Sequence, residues 1–146
     1  GKLRLQESQK PVTPPAALLS YCILPSHYHI LLRWNDVEGG VSKYLQRIGG
    51  GYTMYFNQKY KRSGSLFQGK FKSKLVDSDL YLRHILAYVR YNNIVHDIYD
   101  SKLFRTGLNT NDDLVRGLSS NFDDEHMKEI VEIIKELRRS RKDLEL

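Results

Sequence analysis

Two pairs of residues in this chain have the types and spacing for chemistry: His27 with His29, and Tyr88 with Asn92. Side chains two apart on a strand point the same way, so His27 and His29 project together while Tyr28 faces the other side. Two neutral imidazoles side by side suit a divalent cation, which then needs a third ligand from elsewhere in the chain. The same pair would equally sit unliganded at a half-exposed strand end. Tyr88 and Asn92 are one helical turn apart and share a face. A phenol and a carboxamide oxygen held together there suit a nucleophile and a metal ligand, although the polar shoulder of an amphipathic helix has the same composition.

Several elements must position these residues. Residues 18–33 read as two apolar strands, 18–24 and 28–33, joined at Pro25-Ser26, where a fixed proline dihedral and a serine hydroxyl favour a turn. A helix follows from Ser42, placed as its cap, to about Lys59, with Val41, Leu45, Ile48, Tyr52, Tyr55 and Phe56 on one apolar stripe. That stripe assigns Tyr52 and Tyr55 to the core. Gly49-Gly50-Gly51 interrupts the helix, each glycine costing about 1 kcal/mol against alanine, which points to a kink or to a close approach by another backbone. Residues 60–70 are a basic loop, and 71–76 alternate as a strand. Asp77-Ser78-Asp79 caps a helix over 79–93, on which Leu82, Ile85, Leu86 and Val89 face inward. Ser101–Thr110 reads as loop, and Asn111 as the cap of a short helix. A long helix from Asp123 carries the stripe Met127, Ile130, Val131, Ile134 and Leu137, with Phe122 and Met127 as a hydrophobic staple.

The expected organisation is one domain: an irregular proline-rich lead-in at 1–17, a core at 18–97 and a helical extension at 98–146. Cys22, the single cysteine, leaves no partner for an intramolecular disulfide and reads as a small buried hydrophobe. No apolar run approaches the ~20 residues that span a bilayer, and no signal-peptide pattern is present, so the cytoplasm is the expected compartment. A net charge of +6, a pI near 9.4 and ten tyrosines favour an anionic partner with stackable rings, nucleic acid first. Lysines and arginines interleave with Phe67 and Phe71 between residues 61 and 74, as a single strand would require; an edge strand guarded by lysines would look similar.

The ordered set Tyr-Cys-Ile-Leu-Pro-Ser-His-Tyr-His-Ile-Leu-Leu, Gly-Val-Ser-Lys-Tyr-Leu-Gln-Arg, Tyr-Phe-Asn-Gln-Lys-Tyr, Gly-Ser-Leu-Phe-Gln-Gly-Lys-Phe-Lys-Ser and Tyr-Val-Arg-Tyr-Asn resembles the single-tyrosine HUH transposases. These comprise the insertion-sequence-200-like and REP-associated tyrosine transposases, and the resemblance covers about residues 18–97. It implies an α+β fold of the RRM-like HUH type, an antiparallel sheet carrying the histidines with helices packed on it. The family has a further strand and helix before the histidine hairpin, where this sequence has seventeen proline-rich residues. The glycine triplet and Asn93, which stands where many relatives have proline, are the other departures.

The resemblance further implies metal-dependent nicking and rejoining of single-stranded DNA. Tyr88 would attack the scissile phosphate and leave a 5′-phosphotyrosine link with a free 3′-hydroxyl. His27, His29 and Asn92 would hold Mg²⁺ or Mn²⁺, and Arg62, Lys70, Lys72 and Arg90 would meet the phosphate backbone. The implied partners are single-stranded or hairpin DNA and a second copy of the chain as a homodimer, in a nucleoid-associated, cytoplasmic setting. Tyr91, about 60° around the helix from Tyr88, is a rival nucleophile. A transposase-derived protein that binds DNA hairpins without cleaving them is the alternative.

Overall fold

The computed structural model describes residues 14–119 and 123–144. Most of the expected lead-in, and Phe122 of the expected staple, lie outside the described residues. The fold is α+β, with a three-stranded antiparallel sheet and five helices among the described residues. The elements run β1 (Ala16–Ile23), β2 (Tyr28–Trp34), α1 (Gly40–Tyr60), α2 (Asp79–Arg90), α3 (Asn92–Val95), β3 (Arg105–Leu108), α4 (Asp113–Ser119) and α5 (Asp124–Leu144). Strand order is β2-β1-β3. The chain forms two compact units, one of Trp34–Gln68 with the segment before Leu18, the other of Leu18–Arg33 with Gly69–Leu146.

In the larger unit, the Pro25-Ser26 turn is closed by the Leu24 amide donating to the His27 carbonyl at 2.9 Å, which sets β1 against β2. β3 takes the other edge of β1, with Ser20 opposite Leu108 and Tyr21 opposite Gly107. Gly107 suits this register, because a Cβ there would lie 2.5 Å from the Tyr21 ring. Residues 105–108 therefore pair as a strand where the sequence suggested loop, and 71–76 form no strand. Alternation at 71–76 fixes which side chains share a face but supplies no partner edge.

Ser78 caps α2, its hydroxyl accepting from the Tyr81 amide. The helix buries Leu86 and Val89 against Leu19 of β1, Leu31 of β2 and Val115 of α4. A second cluster joins Ala87, Tyr91 and Ile94 to Met127 and Val131, so the α5 stripe rests on α2 and α3. Leu137, on the same stripe, is 65% exposed, and the burial stops short of it. Asp112 caps α4, accepting from the Leu114 amide, and pairs with Arg33 at 2.9 Å. Cys22 is fully buried beneath the start of α3, where burial pushes its thiol pKa up against the lowering effect of the Asn93 and Asn92 amides.

In the smaller unit, α1 is one continuous helix through the glycine triplet. It starts two residues earlier than Ser42. Its N-cap is Gly39 in the left-handed region, with no side-chain cap. Gly40 packs so closely on Pro15 that a Cβ would lie 2.6 Å from the Pro15 carbonyl oxygen, whereas Gly50 and Gly51 have nothing within 4 Å. Only Gly40 of α1 is buried, so Tyr52 and Tyr55 are not core as their periodicity suggested: they are 49% and 55% exposed.

Candidate metal and tyrosine site

The histidine pair arises where the β1–β2 turn enters β2. Counting along β2, residues 27, 29 and 31 share a face; Leu31 is buried in the core, which brings His29 half-buried to its margin. The His27 and His29 rings lie edge to face with centroids 5.3 Å apart. The third member is His96, which follows α3. Its Nε2 is 3.2 Å from Nε2 of His27, and one ligand nitrogen from each of the three histidines lies within 4.8 Å of the others. These three side chains could hold a metal ion.

Several features fit a cation. Two nitrogens ~2.0–2.1 Å from a tetrahedral ion are about 3.3–3.4 Å apart, close to the His27–His96 separation. The hydroxyl of Ser26 lies 3.0 Å from Nδ1 of His27. A hydrogen bond at that second ring nitrogen fixes the orientation of a ligating imidazole and leaves Nε2 free to coordinate. Burial chiefly, then the neighbouring charges of His27, His96 and Arg138, hold the His29 pKa below its usual value, so the ring is neutral near pH 7. Neutral imidazole is the ligating form.

Tyr88 adjoins this group. Its ring lies 5.7 Å from that of His29, and the Arg138 guanidinium of α5 is 5.3 Å from its centroid. Tyr91, the rival nucleophile, is instead buried against Met127 and Val131, with its hydroxyl accepting from Arg90 Nε at 3.1 Å. Burial raises its pKa.

Asn92 is fully buried. Its Nδ2 donates to the Tyr88 carbonyl at 3.4 Å, and its Oδ1 has no hydrogen-bond partner among the described residues. A buried acceptor left unmade costs about 1–3 kcal/mol, and a cation or donor reaching it would recover that. Among the DNA-contact candidates, Lys70 and Lys72 lie exposed on an irregular segment, Arg62 in the smaller unit rests over Phe56, and Arg90 pairs with Asp124 at 3.3 Å. That ion pair commits Arg90 to α5.

His96, Arg138 and Ser26 were not singled out as site residues from the sequence. The signal for His96 is the four-residue spacing Tyr88, Asn92, His96, which continues across the break between α2 and α3. Asp97, directly after it, is clasped by α5: Lys135 Nζ donates to Asp97 Oδ1 at 2.5 Å, and Arg139 pairs with the same carboxylate at 3.2 Å. The Lys135 hydrogen bond chiefly holds the Asp97 pKa below its usual value.

The larger unit thus presents a three-histidine candidate metal site beside a tyrosine, built on an antiparallel sheet and braced by a long helix. The chain matches no family model, no curated protein and no solved structure. No helix among the described residues is long and apolar enough to cross a membrane.

Proposed function

We propose that the chain is a metal-dependent single-stranded DNA transesterase of the single-tyrosine HUH type, acting in strand nicking and transfer. The observation that carries this reading is the 5.7 Å approach of the Tyr88 ring to His29 within the histidine group. Tyr88 Oη attacks phosphorus, the new O–P bond replaces the P–O3′ bond, and the strand is held as a 5′-phosphotyrosine. The phenolic proton is lost and the departing 3′-oxygen gains one, so the exchange is isoenergetic enough to run backwards and rejoin strands.

His27, His29 and His96 would hold the metal, and Asn92 has a buried, unpartnered Oδ1 that would serve as a further acceptor. A divalent ion bound there supplies Lewis-acid polarisation of the scissile phosphate. Three imidazole nitrogens favour Mn²⁺ or another borderline transition ion over Mg²⁺, which prefers oxygen donors. Arg138 supplies a cation beside Tyr88 for a phosphate oxygen. His29 and the core beneath it keep one side of the tyrosine dry.

Incubation of the protein with end-labelled single-stranded hairpin DNA, in Mn²⁺ or chelator, followed by denaturing electrophoresis, tests the reading. A metal-dependent covalent band is expected, absent in Tyr88→Phe while DNA binding persists. An unchanged band in Tyr88→Phe would remove Tyr88 as nucleophile. Binding with no band under any metal would leave a hairpin-binding protein.

A further inference from the structure

A second surface, on α1 in the smaller unit, is not used by this chemistry. Tyr52, Phe56 and Tyr60 recur every fourth residue, and Tyr55 flanks them. Their rings form a connected group with Phe67 from the following loop: Tyr52 to Phe56 is 6.1 Å, Phe56 to Tyr60 4.5 Å and Tyr52 to Phe67 6.4 Å between centroids. Tyr52, Tyr55 and Tyr60 are about half exposed or more, and Phe67 is 37% exposed. Contiguous exposed apolar surface of this kind marks an interaction site.

Charge says what the surface accepts. Lys59 Nζ lies 5.3 Å from the Tyr60 ring and 5.7 Å from the Tyr55 ring, and the Arg62 guanidinium is 5.7 Å from that of Phe56. Between Glu38 and Asp77 the sequence has eight lysines and arginines and not one carboxylate; the remaining residues carry a net −2. Five of those eight, Lys43, Arg47, Lys59, Lys61 and Arg62, fall in the smaller unit, which carries the exposed rings. A protein partner would meet this surface with apolar area and pay for every unpaired cation. A single strand meets both features, with bases on rings and phosphates on cations.

We infer that the Tyr52–Phe56–Tyr60 face of α1, with Phe67, Lys59 and Arg62, is a base-stacking platform for single-stranded nucleic acid. It rests on the transesterase reading only for the choice of DNA as the polymer. The rings give little sequence preference, because every base has a π-face. The platform binds single strand independently of the metal.

Fluorescence anisotropy with a labelled fifteen-residue oligothymidylate, in chelator so that binding alone is read, tests this on the full chain. Tyr52→Leu/Tyr60→Leu retains helix propensity and apolar area but removes the π-faces. Its affinity is expected to fall by at least about tenfold, with the far-ultraviolet circular dichroism unchanged. Wild type should lose as much on an abasic oligomer of the same length. Lys59→Gln/Arg62→Gln should flatten the salt dependence, lowering the logarithmic slope by about 1.4. Unchanged oligothymidylate affinity in Tyr52→Leu/Tyr60→Leu would overturn the inference, as would equal binding of the abasic strand. So would a self-association in sedimentation velocity that these two substitutions abolish while DNA binding stays intact, since the face would then be a protein interface. A covalent adduct with ring-independent binding overturns the platform alone; ring-dependent binding with no adduct overturns the transesterase alone.

Discussion

Replacing His96 with alanine removes the candidate ligand that lies farthest along the chain from His27, and its effect can be sized. Loss of an outer-shell hydrogen bond to a metal ligand costs about 10–100-fold in affinity. Ser26→Ala, which removes the hydroxyl 3.0 Å from His27 Nδ1, should fall in that range. Loss of the ligand itself should cost no less than its upper end, about 100-fold, or ~2.7 kcal/mol. At a Mn²⁺ or Co²⁺ concentration near 100 times the wild-type Kd, metal binding stabilises the folded wild type by ~2.7 kcal/mol, against ~0.4 kcal/mol for His96→Ala. At roughly 2–4 °C per kcal/mol for a chain of this size, the metal should raise the wild-type Tm by about 5–10 °C and that of the variant by no more than about 2 °C. Scanning fluorimetry reads the shift and titration calorimetry the affinity. Asn92→Ala is the control, because its Oδ1 is the other candidate third ligand. If His96→Ala binds metal like the wild type while Asn92→Ala does not, the three-histidine assignment is wrong.

Three further outcomes follow from the packing. Gly40→Ala and Gly50→Ala should have opposite signs: the first forces a methyl group against the Pro15 carbonyl and should destabilise by about 1–3 kcal/mol, while the second meets open space and should stabilise by up to about 1 kcal/mol, as read by denaturant unfolding. Because burial raises the Cys22 pKa, the thiol stays protonated at pH 8, and iodoacetamide should label it only as fast as the protein opens; labelling at the rate of a free thiol would show β1 uncovered. Asp97→Asn should raise the hydrogen-exchange rates of the last turns of α5, since Lys135 and Arg139 lose their shared carboxylate; unchanged rates would mean that Met127 and Val131 alone hold the helix.

How far the sequence disclosed this arrangement depended on how local each cause was. The Pro25-Ser26 turn, the common face of His27 and His29 and the Ser78 cap each need only a few neighbouring residues, and all three are present. The α5 stripe was equally legible, but whether it met the sheet, the helices or a partner was not, because periodicity describes one surface and says nothing of the other. The same limit explains α1, whose stripe is as regular as that of a core helix and yet lies exposed. β3 was missed because Arg105–Leu108 has little strand character of its own and pairs only because β1 presents a free edge. His96 joins His27 from 69 residues away through the break at Tyr91, a long-range closure that no short motif encodes.

The clasp of α5 on Asp97 and Tyr88 also has a meaning in time. Tyr88 is made some sixty residues after His29, and Lys135, Arg138 and Arg139 some forty residues after His96. A nascent chain therefore carries the histidines and the tyrosine before it carries the helix that steadies them. The brace that α5 lays on Asp97 and Tyr88 is thus added last to a candidate site whose other parts are already made.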